Sequence, residues 1–478
     1  KSGEITEHSL HYRWLDRQHN PVWIDCRGDV ILDEFNKPLY LIGCVNEIGK
    51  RQKADNISGL LREPSLEEYV SSKSKNNITG YFMQIGIDDF EEINGRFGLK
   101  CGDEILKQFS RCMQSCINEN QKIYELGNGR FMIMDLVNHS KEDILELYDE
   151  LKKSIEVALE ENAYRMVYTI SVGIVEIDKE MQDYDTLIKY SEFALNEAKK
   201  KGKNSCYFFT QDKYKQFIRR REIRVELQNA VDHNFKNFDI YYQPIIDIHT
   251  RNLIGAEALM RFKMKRNEQI EFVSPAEFIS ILEESGLIIP AGRWILRQAV
   301  ACCKKWQEFI PEFKMNVNLS YVQIIKSSIL DEIKQALKDY NLKPALLGIE
   351  VTESGYLENT YHYKKLWSSL KEEGITLVLD DYGTGYSNAY RLSNLTPHYI
   401  KIDRVLTQKA LSSNYERSIL IYIIEMAHSL KLNVCIEGVE TEEELQEIKK
   451  LNPDYIQGYL FGKPVPEDEF YNRQIKKK

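Results

Sequence analysis

The chain has 478 residues, too many for one hydrophobic core, so two or three domains are expected, each large enough to stand alone. A formal net charge of −9 excludes a sequence-blind nucleic-acid binder, which needs a basic surface to displace counterions, and leaves any anionic ligand dependent on local cations or metal. Nine scattered cysteines without a CxxC pair point to reduced thiols and a cytoplasmic setting, and no stretch is apolar for long enough to span a bilayer. The chain starts at Lys1 without a methionine and is read as a fragment, so a membrane or sensory segment upstream stays open.

Residues 1–48 alternate apolar and polar positions between two turn signals, His19-Asn20-Pro21 and Asn36-Lys37-Pro38, which predicts three antiparallel strands. The stretch resembles the C-terminal half of a PAS domain, whose last strand carries an element like Gly43 to Ile48. A partial PAS domain implies an exposed sheet edge and dimer contacts. Residues 49–74 turn charged and helical, as a connector between domains does.

Residues 75–210 alternate strand and helix patterns. The pieces YFMQIGIDDFEEINGRFG, the Cys101-Gly102-Asp103 turn, YTISVGI and ALNEAKKKGKN resemble the GGDEF (diguanylate cyclase) domain over its whole length. Its signature is degenerate: Gly127-Asn128-Gly129-Arg130-Phe131 stands where the family has Gly-Gly-Asp-Glu-Phe, and Gly86 replaces the first metal-binding Asp. Cyclase chemistry needs clustered carboxylates for two Mg²⁺ ions, so synthesis is expected to be lost. The family's inhibitory Arg-x-x-Asp falls on Asn118 and Gln121, which removes product feedback there. Asn94 and Asp103 match the family's guanine-recognising pair, so the resemblance implies a GTP site; read alone, both also serve as turn caps.

Residues 211–478 hold seven short apolar runs, LIGAEAL, FKMNVNL, LLGIEVTE, ITLVLDDYG, HYIKID, LNVCIEGVE and DYIQGY. Each ends in a carboxylate, amide or lysine: Glu257, Asn318, Glu350, Asp380 with Asp381, Lys401, Glu437 and Gln457. Helical spacing lies between most of them, as over Tyr361 to Glu373 and Tyr415 to Leu430. Strands alternating with amphipathic helices over roughly 250 residues predict a (β/α)₈ TIM-like barrel, with polar strand ends gathered at one mouth. Any one acid alone is equally a helix cap. Glu257, Asn318, Glu350 and Asp380 offer hard oxygen ligands, which suit Mg²⁺ or Mn²⁺ better than zinc.

The pieces YYQPIID, Glu257-Ala258-Leu259-Met260-Arg261, NVNLS, EVTES, DDYGTGYS, KIDR, EGVET and QGYLFGKP follow in one order from Tyr241. In that order they resemble the EAL family of cyclic-di-GMP phosphodiesterases. The resemblance implies two Mg²⁺ or Mn²⁺ ions: Glu257, Asn318, Glu350 and Asp380 on the first, Asp380 bridging to a second that Asp381 completes, and Glu437 and Glu440 extending the acidic ring. It implies that Lys401 orients the attacking water, that Gln457 bonds to a metal water, and that Arg261, Gln243, Leu259, Asp403 and Glu440 meet the substrate. Glu353 and the loop Asp381 to Ser387 are implied to couple metal binding to dimerisation. Tyr382 and Asn388 depart from the family's usual Phe and Ser, and the stretch after Arg261 lacks its Trp-x-His-Pro; none removes a ligand. The expected function is opening of cyclic-di-GMP to linear pGpG by a homodimer regulated from upstream, with a non-catalytic cyclic-di-GMP receptor as the alternative.

Overall fold

A computed structural model of the chain describes residues 7–15, 21–32, 38–48, 55, 57–73, 78–137, 139–161, 167–178, 183–266, 268–352, 360–383 and 397–476. The chain divides into two compact units, Lys1–Phe217 and Ile218–Lys478.

In the first unit, β1 (Glu7–Leu15), β2 (Pro21–Leu32) and β3 (Pro38–Ile48) pair antiparallel in that order, as the alternation predicts. Of the turn signals, His19, Asn20, Asn36 and Lys37 lie outside the described residues. A six-stranded sheet follows. Its strands are β4 (Leu61–Arg62), β5 (Gly80–Ile87), β6 (Gln121–Gly127), β7 (Arg130–Asp135), β8 (Ile170–Ile177) and β9 (Cys206–Phe208), in the order β4-β6-β7-β5-β8-β9. Alternate residues of β5 feed two cores, Met83 and Ile85 into one and Phe82 into the other, which is why YFMQIGI is almost continuously apolar.

Two expectations change in this unit. The connector's helix exists as α1 (Glu63–Lys73), but its Leu66 and Val70 are buried in the second core, so it packs as part of this α/β unit. After α2 (Phe90–Phe97), the piece expected as a Cys101-Gly102-Asp103 turn lies in the first turns of α3 (Leu99–Cys116). Gly98, at φ 84, ends α2, and the buried positions Ile105, Leu106, Phe109, Cys112 and Met113 recur at helical spacing beyond it. The unit's remaining long helices are α4 (Lys141–Glu161) and α5 (Tyr184–Lys200).

The second unit is a closed barrel entered through α6 (Gln211–Asp232). Its strands are β10 (Phe238–Asp247), β11 (Leu253–Arg266), β13 (Lys314–Asn318), β14 (Leu347–Thr352), β15 (Thr376–Tyr382), β16 (Tyr399–Ile402), β17 (Asn433–Glu437) and β18 (Tyr455–Gln457); β12 (Gln269–Val273) forms a hairpin on β11 outside the ring. Seven of the eight are mutually parallel, but β10 runs antiparallel to both its neighbours, β11 and β18. A parallel crossover takes about a dozen residues, and residues 248–252 are too few. They make a tight turn instead: Asp247 Oδ1 accepts from the His249 and Thr250 amides, and Arg251 takes φ 56. Helices such as α7 (Pro275–Ser285) and α8 (Ile288–Trp306) pack outside the barrel in the main core. Inside the barrel lies a separate, smaller cluster of Ile245, Val378, Tyr399 and Cys435. Each of these stands two residues from Gln243, Asp380, Lys401 or Glu437 on the same strand face.

Candidate active site

The polar layer above that inner cluster brings together residues from eight strands. Glu257, Glu350 and Asp380 present carboxylate oxygens within 4.8 Å of one another, and so do Asp380, Asp381 and Glu437; Asp380 is common to both groups. Adjacent strand residues normally point to opposite faces. Asp381 escapes that rule because the β15–β16 register shifts between Leu379 and Tyr382 and Asp381 takes φ 56, a conformation Asp tolerates.

Lys401 stands at the centre, 1% exposed. Its Nζ lies 2.6 Å from Glu437, 2.9 Å from Glu257, 3.0 Å from Glu350 and 3.5 Å from Asp380. Burial alone would discharge the ammonium, but Asp380, Glu257, Glu350 and Glu437 outweigh it and raise its pKa well above the ordinary lysine value. Burial and then Glu257 push Glu350 well up. Burial likewise lifts Glu437 to about 8 and Asp381 to about 6, with Asp380 adding to both and Lys401 opposing. Glu257 goes the other way: burial raises it, yet Lys401, Gln457 and Asn318 together hold it below its usual value.

Each oxygen of Glu257 is held. Asn318 Nδ2 donates to Oε1 at 2.6 Å, and Gln457 Nε2 donates to Oε2 at 2.8 Å and to Gln243 Oε1 at 3.0 Å. Gln243 pairs directly with Glu257 in the β10–β11 register. Gln457 Oε1 is buried without a hydrogen-bond partner, and buried Asp380 Oδ1 has only the 3.5 Å ion pair with Lys401 Nζ and no hydrogen bond. Buried orphan oxygens are rare unless something else satisfies them. Together with two oxygen-rich groups sharing Asp380, they fit a pair of hard divalent cations, the donor set being carboxylate and amide with no thiolate or imidazole.

Beside this cluster lies a cavity of about 530 Å³ lined by Leu259, Arg261, Asn318, Thr352 and Tyr321 among others. Arg261 Nη1 donates to the Met260 carbonyl at 2.9 Å, and its guanidinium lies 5.5 Å from the centre of the Tyr241 ring.

One expected position comes out differently, and two others have partners of their own. Glu257 is not at a strand end, because β11 continues to Arg266 as the arm that pairs with β12. Asp403 N-caps the following helix by accepting from the Val405 amide at 2.7 Å. Glu440 stays out of both carboxylate groups and pairs with Arg404 at 2.7 Å. Glu353, Thr384, Gly385, Ser387 and Asn388 lie outside the described residues. Two buried residues were missed from sequence: Asn316, whose Nδ2 donates to Glu350 Oε1 at 2.6 Å, and Tyr399, whose hydroxyl meets the same amide. Their signal was period two, since Asn316 shares a strand face with Asn318 and Tyr399 with Lys401.

In the first unit, Asn94 Oδ1 is buried, without a hydrogen bond, and directed at the backbone of Gly102, next to Asp103. A separate polar cavity of about 650 Å³ is lined by Asp89, Glu91, Glu92, Asn128, Arg130 and Lys199 among others. Arg130 pairs with Glu192 at 3.1 Å, and Lys199 Nζ lies 3.0 Å from where a Cβ on Gly86 would stand.

Residues 224–464 match the family model described as "EAL domain", and residues 53–205 the one described as "Diguanylate cyclase, GGDEF domain". The chain is 30% identical over 399 residues to the signaling protein YkoW of Bacillus subtilis (strain 168), covering 82% of this chain and 48% of that protein. It is 27% identical over 470 residues to the cyclic di-GMP phosphodiesterase PdeR of Escherichia coli (strain K12), covering 96% and 68%. The chain thus spans about half the length of the first of these relatives. Among solved structures, the EAL enzyme Bd1971 in its cAMP- and cyclic-di-GMP-bound form is similar, with a TM-score of 0.51 at 24% identity over 72% of this chain and 82% of that one, a likeness in fold. No described helix is long and apolar enough to cross a membrane, and Cys101, Cys112, Cys116, Cys206, Cys302, Cys303 and Cys435 are free thiols.

Proposed function

The chain belongs to the EAL family, carried in tandem with a GGDEF domain, and we propose that its barrel hydrolyses cyclic-di-GMP to linear pGpG with two Mg²⁺ or Mn²⁺ ions. The observation that carries this reading is the pair of carboxylate groups sharing Asp380 around a buried lysine. In this reading Glu257, Asn318, Glu350 and Asp380 hold one ion and Asp380, Asp381 and Glu437 the other. When bound, the ions supply Lewis-acid polarisation of the phosphodiester and of the attacking water. The chain's own residues do the rest. Lys401 keeps a positive charge beside the reacting phosphorus to offset charge developing there, Gln457 orients water through its unpartnered Oε1, and Arg261 clamps a phosphate from the cavity rim. Water adds to one phosphorus, the P–O3′ bond breaks, and the freed 3′ oxygen takes a proton, leaving a 5′-phosphate.

The upstream domain is proposed to be silent as a cyclase and to hold GTP as a regulatory ligand, in a homodimer. Gly86 and Arg130 support the loss of synthesis. Lys199 and Arg130, which line one cavity, and the match of Asn94 and Asp103 to the guanine-recognising pair support a metal-free nucleotide site. Exposed Val405, Tyr415 and Tyr422 on two consecutive helices support self-association.

The deciding experiment incubates the protein with cyclic-di-GMP and Mg²⁺, with and without GTP, and resolves the nucleotides. Accumulation of pGpG is expected. Intact substrate bound tightly would move the assignment to a receptor, and GTP without effect on rate or melting would remove the regulatory site.

A further inference from the structure

Beneath Glu350 the barrel interior holds a polar support made by three strands. Asn316 on β13 is 2% exposed; its Nδ2 donates to Glu350 Oε1 at 2.6 Å and also meets the Tyr399 hydroxyl on β16. In this orientation the amide offers a donor to Glu350 and turns its oxygen away from it. Its Oδ1 then lies against Gly348 of β14, Asn316's register partner, where any Cβ would collide with it. Gly348 and Glu350 share a face of β14, so the Asn316 side chain fills the space that a larger residue at 348 would take. Glu350's other oxygen, Oε2, is the one that meets Lys401, at 3.0 Å.

We propose that Asn316, given room by Gly348 and backed by Tyr399, is a positioning residue that ties up Glu350 Oε1 and so presents Glu350 to a metal ion through one oxygen only. The consequence is ion choice. Mg²⁺ and Mn²⁺ take a compact six-coordinate shell of single carboxylate oxygens, whereas Ca²⁺ takes six to eight ligands and gains from carboxylates that bind through both. A Glu350 held at Oε1 denies Ca²⁺ that second oxygen. This rests on the reading that Glu350 is a metal ligand.

The test is direct titration of the full chain with Mn²⁺ and with Ca²⁺ by calorimetry, comparing wild type with Asn316→Leu, Tyr399→Phe and Gly348→Ala, folding being checked by circular dichroism. Asn316→Leu keeps the shape and removes the donor; Gly348→Ala displaces the donor without removing it; Tyr399→Phe keeps the ring and removes only the hydroxyl behind the donor. Outer residues that orient ligands typically cost about 10–100-fold in metal affinity when changed. Asn316→Leu and Gly348→Ala are therefore expected to weaken Mn²⁺ by about 10–100-fold while Ca²⁺ holds or tightens, narrowing the preference between the ions, with Tyr399→Phe shifting it the same way by less. If Mn²⁺ binding is unchanged in the folded variants, or if both ions weaken equally, the inference is overturned. A wild-type chain that binds no Mn²⁺ at all would instead sink the metal reading itself.

Discussion

Replacing Lys401 with methionine removes the ammonium that touches Glu437, Glu257, Glu350 and Asp380 at 2.6, 2.9, 3.0 and 3.5 Å, and leaves a chain of similar length to fill its space. At about 3 Å and an effective dielectric of about 20, each such contact is worth roughly 5 kcal/mol before desolvation. Most of that is offset by the cost of burying the charges and by repulsion among the carboxylates, so the net loss on deleting the cation is about 3–5 kcal/mol. For a unit of this size each kcal/mol moves the melting point by about 2–4 °C, which predicts a fall of roughly 6–20 °C for the barrel in EDTA. Added Mn²⁺ restores positive charge to the same oxygens and is expected to raise the mutant's melting point by more than the wild type's. Differential scanning calorimetry of both proteins, with EDTA and with Mn²⁺, reads this out. A mutant melting within about a degree of wild type in EDTA would refute the view that the lysine neutralises the cluster.

Glu257→Ala is expected to keep the circular dichroism spectrum while turnover of cyclic-di-GMP falls by about 10³-fold or more, since several kcal/mol of metal-dependent stabilisation is lost; near-normal turnover would contradict its role. Ca²⁺ as the sole divalent ion is expected not to support hydrolysis, because its long bonds and loose geometry spoil a compact site; an assay in EDTA-stripped buffer with each ion added back decides it. In the upstream domain, burial, with Asp55 adding to it, raises the Glu125 pKa from 4.5 to about 7. The folded state therefore keeps this proton where the unfolded chain has lost it, and the associated stability is present below about pH 4.5 and lost as pH rises through about 7. Glu125→Gln is expected to flatten that slope and stabilise the domain at pH 8 by on the order of 1–3 kcal/mol, measured by urea melts across pH; an unchanged slope would count against it.

The acids were legible because each interrupts or ends an apolar run, and a run that buries everything except one carboxylate has a reason beyond packing. The helices between them announced themselves by their spacing. The reversed first strand was missed, although the five residues from Ile248 to Asn252 already ruled out a parallel crossover. Alternation gives a strand's faces but not its direction, and only the length of the connection carries that. Asn316 was passed over because NVN reads as part of an apolar run until its two amides are placed on one face. Asp403 and Glu440 were assigned by resemblance alone, and their local partners, the Val405 amide and Arg404, could not be read from spacing. The Asp381 backbone twist left no mark in composition.

The direction of β10 has a mechanical corollary. In a barrel whose strands all run one way, the incoming chain arrives at the rim opposite the chemistry. Here Phe238 lies level with Phe262, on the rim where Glu257 and Glu350 gather, and the strand descends from there to Gln243, the direct neighbour of Glu257. The end of α6 leads through residues 233–237 into the strand that carries Gln243, whose Oε1 accepts from the same Gln457 amide that donates to Glu257. The chain's entry into the barrel and the partner of Gln457 thus belong to a single strand.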